Sequence, residues 1–592
     1  MTQRLVFDFE TYFDDDYSLK KMPTLEYVRD ERFKAHGAAV KLGHLDTIWL
    51  PERFLPSYFA ALPEDTEFVA HNMYFDGLVL FEHYGIVPAT YADTLSMSRA
   101  LLIHAPEHSL DYLAKLLGLG EKIPEVLDLT KGVRDLPADV EAKLAEYAIN
   151  DVDLTHALYE KLRPGLPEQE LALIDLTMRW GCRPTLKVDL ERILKAYKQA
   201  LRERRAKIQG SGTTLEVLSS QPKFKAHLEE LGVDVPLKKN RKGLMIPALG
   251  KDDIGFRQMI AEYPQHKAVF DGRLAAKSTL THTRIRRIYK IGSRGTLPMP
   301  LKFYGAHTGR WSGADGLNPQ NFTRGSELRK SIIAPEGYVI LVADLKQIEP
   351  RMNFWFCGQD DWLAVFAAGK DIYTATAAGH FDIPYEEVTS SQRFFGKTLE
   401  LGLGYNMGWR KFRVQSALKG IFLTEQQAYE AVTKYRGRHQ ALVRMWRALS
   451  DLLYGMYQEN YSHGTHPIEF VHEAILLPNG MRLDYSGLTP TEDGDWFYGL
   501  GGKRKKIYGG AMLENIIQAL ARIVIGEQLL AVEALPGVTT VSSTHDEIIA
   551  LVRVEEADAA VEAVTKIMTT PPAWAPNLPL AVDIGYAREY SK

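Results

Sequence analysis

Four carboxylates near the front of the chain have the types and spacing that phosphodiester hydrolysis asks for: Asp8 and Glu10 in FDFET, Asp76 in HNMYFDG and Asp151 in YAINDVD. Asp8 and Glu10 are two residues apart, so on a strand they share one face. Tyr147 precedes Asp151 by four residues and falls on the same helical face. Cleaving a phosphodiester requires an activated water and relief of charge on the leaving oxygen. Two Mg²⁺ ions roughly 4 Å apart do both, and hard cations take carboxylate oxygens. A phenol beside them can orient the water. Taken singly, each piece has a plainer meaning: a solvated pair for Asp8 and Glu10, a helix cap for Asp76.

A second constellation lies in the rear half. Asp344 ends the apolar run YVILVAD, and Asp546 and Glu547 sit in VSSTHDEII, both in strand contexts. Two strands bringing carboxylates to one edge would again hold two Mg²⁺ ions, here aligning a hydroxyl with the α-phosphate of a nucleotide. Between them, Arg393, Lys397, Leu401 and Tyr405 recur every four residues in RFFGKTLELGLGYNMG and are expected on one helical stripe. Two cations followed by an aromatic ring suit a triphosphate below a stacked base. Alone, HDE reads as a salt-bridged strand end and the two cations as a solvated face.

The elements that must position these residues follow from periodicity. RLVFDFET and EFVAHNMYFDGLVLF read as strand and strand–loop–helix, and VEAKLAEYAINDVDLTHALYEKL as a long helix that RPGLP breaks near residue 165. From about 166 to 295 the chain reads as helical and basic, and residues 267–294 carry eight Lys and Arg against Asp271 alone. Such a surface is either solvated or suited to phosphate contacts. Strand-like segments at YVILVADL and VTTVSSTHDEIIALVRV bracket a helical block at about 357–460. Residues 1–160 balance at −14 and the remainder at +10, which suggests two units with different tasks. Two distant cysteines, Cys182 and Cys357, suggest a reducing compartment. No basic segment followed by an apolar run opens the chain, and no run of eighteen apolar residues occurs, so neither a signal peptide nor a membrane span is expected.

The ordered set D-x-E, N-x-x-x-D and Y-x-x-x-D resembles the DEDDy class of 3′→5′ exonucleases. DTLSMSRALL (93–102) and HSLDYLAKLLGLG (108–120) are similar to its connecting segments. The order carboxylate strand, basic helix, HDE strand resembles motifs A, B and C of family A DNA polymerases, with DLKQIEPR (344–351) as A and HDE (545–547) as C. TGRWS (308–312) and LNPQN (317–321) are similar to segments that contact primer–template DNA. The resemblance implies a multidomain chain of α/β and α+β class. An RNase H-like exonuclease domain (1–165) would precede a right-hand polymerase with thumb (166–295), palm (296–356 and 465–592) and fingers (357–464).

It also implies roles. Asp8, Glu10, Asp76 and Asp151 would hold metals, with Tyr147 positioning the water. Asp344 and Asp546 would hold metals with the Leu345 carbonyl, and Glu547 would support the metal site or the primer end. Arg393 and Lys397 would bind the triphosphate, Tyr405 would lie beside the nascent pair and Glu349 would sit under the sugar as a steric gate. Gln347, Ile348 and Leu401 would complete the nucleotide site. Arg310, Asn318, Gln320, Asn321, Gln518 and His545 would touch DNA. The implied cofactor is Mg²⁺, two ions per site, with Mn²⁺ as a substitute. The implied partners are primer–template DNA and deoxynucleoside triphosphates, with replisome accessory proteins as further partners of a monomer in the cytoplasm of a bacterial host. With Asp8 so near the first residue, no 5′-nuclease domain is expected in front.

Several positions depart from the bacterial pattern: Leu345-Lys346 for Tyr-Ser, Pro350 before Arg351, and Glu400-Leu401 where an Asn and an aromatic ring are usual. ELGLGY and LENIIQALAR are similar to bacteriophage members. Two rival readings are a nuclease with an inactive polymerase body and a non-catalytic DNA-binding scaffold. Intact Asp344, Asp546, Arg393 and Lys397 argue against the first, and two complete metal-carboxylate sets against the second.

Overall fold

The protein is described from a computed structural model that covers residues 3–124, 126–240, 243–278 and 280–591. The front of the chain builds a mixed five-stranded sheet from β1 (Arg4–Thr11), β2 (Ala35–Leu42), β3 (Ile48–Pro51), β4 (Glu67–Ala70) and β5 (Thr90–Asp93), in the order β3-β2-β1-β4-β5. β1 pairs antiparallel with β2 and parallel with β4. Helix α1 (Met73–Tyr84) connects β4 to β5, and the long helix α2 (Ala138–Leu162) lies across β1 and β2. RPGLP ends α2 as expected, in a short 3₁₀ turn at Arg163–Gly165.

The next helix, α3 (Glu168–Cys182), packs on α1 and β5, so the expected boundary at 165 falls between two helices that both cover the front sheet. α3 reaches the rear of the molecule as well. Its Asp175 accepts a hydrogen bond from the Tyr91 amide of β5 (2.8 Å), and one turn on Trp180 donates to Thr540 Oγ1 of a rear strand (3.2 Å). One continuous apolar core therefore runs from Phe7 and Val69 through Ile174 to Leu341 and Ile549.

The basic middle segment folds as helices α4 (Leu190–Gly210), α5 (Lys267–Lys277) and α6 (Leu280–Gly292), with α5 and α6 against α4. Asp189 caps α4 by accepting from the Arg192 amide. Between α4 and α5, Leu218, Phe224, Leu228, Phe256 and Phe270 enclose a separate small core.

The rear sheet is β6 (Tyr338–Leu345), β7 (Val538–Thr544), β8 (Glu547–Arg553) and β9 (Val582–Ala587), antiparallel throughout, in the order β7-β8-β6-β9. Residues Val339–Ala343 are all buried, which is why this strand reads as an unbroken apolar run. Helix α7 (Ile348–Cys357) follows β6. The helical block then includes α8 (Ile372–Phe381), α9 (Ser390–Leu403), α10 (Glu425–Arg438) and α11 (Gln440–Tyr457). α8 and α9 approach so closely at Gly396 that a Cβ there would collide with the Tyr373 carbonyl oxygen. Helix α12 (Gly509–Glu533) is long and apolar enough to cross a membrane by length and composition, but 72% of its most apolar stretch is buried inside the protein. It packs on α3, α7 and α11 as a core helix.

Candidate active sites

Strand β1 carries Asp8 and Glu10 on one face, as its period of two requires, and α2 brings Tyr147 and Asp151 over that face. Asp76 lies in the first turn of α1, fully buried, and does not act as its N-cap, a position that Asn72 occupies. Asp76 instead accepts from the Phe9 amide at 3.1 Å, which ties the start of α1 to the strand between the two β1 carboxylates. The five expected side chains are thus brought to one place by three elements.

Two further groups complete this site. Asp93, buried, accepts from the Ser96 amide and from the amides of Asn72 and Met73 (both 3.0 Å), so one carboxylate caps the helix after β5 and fixes the entry to α1. The Asp-Thr-Leu-Ser spacing before a helical run was the available signal. Lys122 places its ammonium 2.7 Å from Asp151 and 4.8 Å from the centre of the Tyr147 ring. Nothing in its sequence neighbourhood marks it.

The electrostatics match a cluster built for cations. Burial, then the charge of Asp151, pushes Asp8 up to about 7, with Lys122 opposing. Burial and the neighbouring carboxylates hold Glu10 and Asp76 well above the ordinary range. Burial depresses the Lys122 ammonium, but Asp151 more than offsets this and its pKa is raised.

At the rear, β6 delivers Asp344 directly opposite Glu547 of β8 and Asp583 of β9. Asp546 is not within a strand: His545 and Asp546 form the two-residue tip of the β7–β8 hairpin, with Thr544 paired to Glu547. His545 has φ +58°, the left-handed backbone that such a tight turn demands. The Leu345 amide donates to the Asp546 carbonyl at 2.9 Å, fastening the tip to the end of β6. Burial and Asp344 push Asp546 up to about 7. Burial also raises Asp344, against the pull of Arg324, whose guanidinium lies 2.9 Å from it and 3.4 Å from Glu547. Glu547 is buried and committed to protein partners: Arg329 at 2.9 Å, Thr544 Oγ1 at 3.0 Å and the Tyr590 hydroxyl.

A cavity of about 560 Å³ opens beside Asp546. Arg310, Gln347, Ile348, Glu349, Lys397, Leu401 and His545 line it, together with Tyr373 and Arg522, which the sequence reading did not single out. Arg310 pairs with Glu349 across it. Arg393 is not part of the lining; its guanidinium lies 5.5 Å from the centre of the Tyr373 ring and is held by both oxygens of Asp371 at 3.0 Å, and Gln347 donates to the same carboxylate at 3.0 Å. Arg522 is locked from behind by Glu170 of α3 (2.5 Å) and lies against Phe303, Tyr304 and Trp311.

The expected four-residue stripe holds for Arg393, Lys397 and Leu401 but not for Tyr405. α9 ends at Leu403; Gly404 keeps helical backbone angles and donates to the Glu400 carbonyl, and the chain reverses at Asn406 (φ +62°). Tyr405 still lies near Glu349 and Arg310. Asn318 and Gln320 serve their own loop: Asn318 Oδ1 accepts from the Gln320 amide, and Gln320 donates to the Trp311 carbonyl, both at 3.1 Å. Asn321 is exposed, and Gln518 on α12 accepts from Thr308. The basic 267–294 segment is partly spent within the chain: Arg287 and Lys290 face Glu26, and Arg294 faces Asp30.

Among the described residues, no three His, Cys, Asp or Glu side chains are gathered at metal-ligating spacing. At each centre the carboxylates repel one another, and Lys122 or Arg324 supplies the countercharge. The donors themselves are hard oxygens, which suits Mg²⁺.

Residues 189–453 match the sequence profile of DNA polymerase family A, and residues 31–167 match that of a 3′–5′ exonuclease. The DNA polymerase of Bacillus phage SP02 is 28% identical over 533 residues, which span 78% of this chain and 77% of that protein. DNA polymerase I of Aquifex aeolicus is 26% identical over 57% of this chain and 60% of its own length. For DNA polymerase I of Pseudomonas aeruginosa the figures are 28%, 59% and 39%. Among solved structures, the POL domain of Pol1 from M. smegmatis, in complex with DNA primer-template and dNTP, superposes with a TM-score of 0.70 at 17% identity. The match covers 100% of this chain and 96% of that one, and at this identity it speaks to the fold.

Proposed function

Because this chain belongs to DNA polymerase family A and carries a 3′–5′ exonuclease domain, we propose that it copies a DNA template by adding deoxynucleotides to a primer and uses the front site to remove mispaired primer ends. The observation that supports the first half is the rear cavity, which Asp546, Lys397, Glu349 and Leu401 line together. The buried carboxylate face of β1, covered by Tyr147 and Asp151, carries the second.

Each centre would hold two divalent cations, Mg²⁺ by donor chemistry: Asp344, Asp546 and the Leu345 carbonyl at the rear, and Asp8, Glu10, Asp76 and Asp151 in front. Bound there, such ions lower the pKa of a coordinated water or hydroxyl and neutralise charge on the phosphoryl oxygens. The protein's own side chains do the rest. Lys397 and Arg393 face the triphosphate, and Arg393 must exchange its Asp371 pair for a phosphate to do so. Glu349, held by Arg310, occupies the floor under the sugar and excludes a 2′-hydroxyl. Arg310, Asn318, Gln320, Asn321, Gln518 and His545 border the primer end. Glu547 works indirectly, by fixing the strand that presents Asp546. In front, Tyr147 orients water and Lys122 sets its position and that of Asp151.

The test uses a primer with a mispaired 3′ end. Asp8→Ala should abolish its digestion and leave extension of a paired primer intact, whereas Asp546→Asn should do the reverse. Digestion by the first variant, or extension by the second, near the parent rate would refute the corresponding assignment.

A further inference from the structure

A hairpin in the rear half touches the surroundings of both centres. Its strands, Trp496–Leu500 and Lys503–Ile507, are joined by Gly501 and Gly502. Both glycines have positive φ (+55° and +69°), as a two-residue hairpin turn requires. The tip abuts the front domain: a Cβ on Gly502 would lie 3.0 Å from the Pro106 Cβ. Two residues beyond Pro106, the His108 carbonyl lies 3.0 Å from His71 Nε2. His71 sits near Asp93 and Lys122 and directly precedes Asn72, the cap of the helix that carries Asp76.

The other end of the hairpin leads to the rear centre. Ile507 runs through Tyr508 straight into α12, where Glu514 lies near Glu349 and Arg310. Midway, the Tyr498 ring packs on His307 (5.5 Å between centres), whose neighbour Thr308 donates to Gln518. A second link runs alongside. His307 Nε2 donates to the Asp484 carbonyl at 2.7 Å, and the Asp484 carboxylate lies 3.7 Å from both His104 of the front domain and Arg482.

The strand Lys503–Ile507 is the outer one of its sheet, and its four cationic side chains are all exposed. Two of them have partners within the hairpin. Arg504 lies over the Phe497 ring (4.3 Å), and Lys506 pairs with Asp495 (2.5 Å). Lys503 and Lys505 are different. They share one face of the strand, about 6.6 Å apart. Lys505 stands opposite Tyr498, so this is also the face that meets His307. Among the described residues neither ammonium has an ion pair or hydrogen bond. Lysines on an edge strand also block strand addition, but that role asks for no particular place in the molecule. These two stand between the two centres.

We propose that Lys503 and Lys505 hold the phosphates of an unpaired primer 3′ end as it passes between the rear cavity and the front carboxylates. The inference rests on the two-site reading given above. Ammonium groups hold phosphates as point charges, without regard to base sequence. At an exposed surface the hold is weak, which suits a strand that must move on.

The experiment uses the full chain loaded on a primer–template with a mispaired 3′ end. Mg²⁺ is added together with excess trap DNA, so that excision is read from the complexes already formed. Two controls accompany it: digestion of a short single-stranded oligonucleotide, which enters the front site directly, and extension of a paired primer. Both lysines are exposed, so their substitution leaves the fold intact. Lys503→Ala/Lys505→Ala should slow excision of the mispaired end several-fold and leave both controls at the parent rate. Lys503→Glu/Lys505→Glu should slow it further, and Lys503→Arg/Lys505→Arg should restore it. Excision by the double-alanine variant should also lose part of its salt dependence. Unchanged excision overturns the proposal, even if the variant aggregates, since the lysines would then serve only to protect the edge. Equal slowing of all three reactions, or weaker binding of the paired primer–template, overturns it as well by assigning the lysines to the duplex. If the parent digests neither substrate, the exonuclease reading is what falls.

Discussion

Leu401 is 43% exposed on the wall that it shares with Glu349 and Lys397, so it is not a packing residue of the helical block. One turn beyond Lys397, it faces the region assigned to the nucleotide sugar. Leucine offers no donor or acceptor there, so nothing at this position replaces the interaction lost when a nucleotide lacks its 3′-hydroxyl. The protein should therefore discriminate against dideoxynucleotides, and Leu401→Tyr should relax that discrimination. The measure is the ratio of dideoxy to deoxy incorporation in the Asp8→Ala background; a slower enzyme with an unchanged ratio would refute it. Asp8 and Asp546 carry a second consequence. Each is pushed up to about 7 by burial and a neighbouring carboxylate, against an ordinary value of 3.8. A carboxyl whose pKa is raised on folding stabilises the fold fully below its unfolded value, and that stabilisation is lost as pH rises through about 7. Thermal unfolding with a chelator present should therefore occur at lower temperature at about pH 8 than at about pH 5, and Mg²⁺ should shrink the difference. A midpoint independent of pH and Mg²⁺ would contradict the raised carboxyls.

α9 shows what an element asks of residues that do no chemistry. Glu400, beside Leu401, points the other way into the helical block. There it accepts from Thr376 (2.5 Å) and the Tyr435 hydroxyl (3.0 Å) and lies 3.4 Å from His439. It is 6% exposed, so removing it strands the buried Tyr435 hydroxyl and takes the facing carboxylate from His439, while Thr376 keeps its bond to the Ile372 carbonyl. Glu400→Ala should cost about 2–4 kcal/mol in denaturant unfolding of the full chain, and Glu400→Gln clearly less, because the amide oxygen can still accept from one of the two hydroxyls while its NH2 donates to the other. Equal losses would show that only volume matters. The contrast between Leu401 and Glu400 was half legible in the sequence. The four-residue period gave the face of Arg393, Lys397 and Leu401, whereas the hydrogen bonds of Glu400 come from residues 24 and 35 positions away. The same limit explains Tyr405. The periodicity runs through it, but the helix ends at Leu403, two residues short of it. It also explains Asp546, where an apolar run with a polar centre reads as one strand and is in fact a hairpin folded at His545. β1, β6 and α2 were legible because burial imposes their periods locally. Lys122, Arg324 and Asp371 were not, since each earns its place through contacts distant in sequence.

Across the whole molecule, the acidic front and basic body partly neutralise one another. Besides the pairs of Glu26 and Asp30, Arg29 bridges Glu82 (2.6 Å) and the Thr296 carbonyl (2.7 Å). The charge split of the sequence thus reflects docking as well as division of labour. The shared core goes further. A fragment ending at residue 165 would lack α3 and expose the apolar side of β5 and α1. It should be aggregated or poorly folded, while a fragment extended to about residue 184 should unfold cooperatively. Circular dichroism melts of the two compare them directly, and a well-folded shorter fragment would show that α3 is dispensable to the front sheet.

Helix α3 acts as a chassis rail. With Asp175 bolted to one sheet and Trp180 to the other a little over one turn along, the two workstations keep a set separation. On the proposed reading, a mispaired primer end would have to leave the rear cavity and part from its template to reach the front carboxylates, so fraying of the duplex would set the delay before its removal. Weakly paired ends would arrive often and well-paired ends seldom, and a fixed frame would thereby convert base-pair strength into a timing signal.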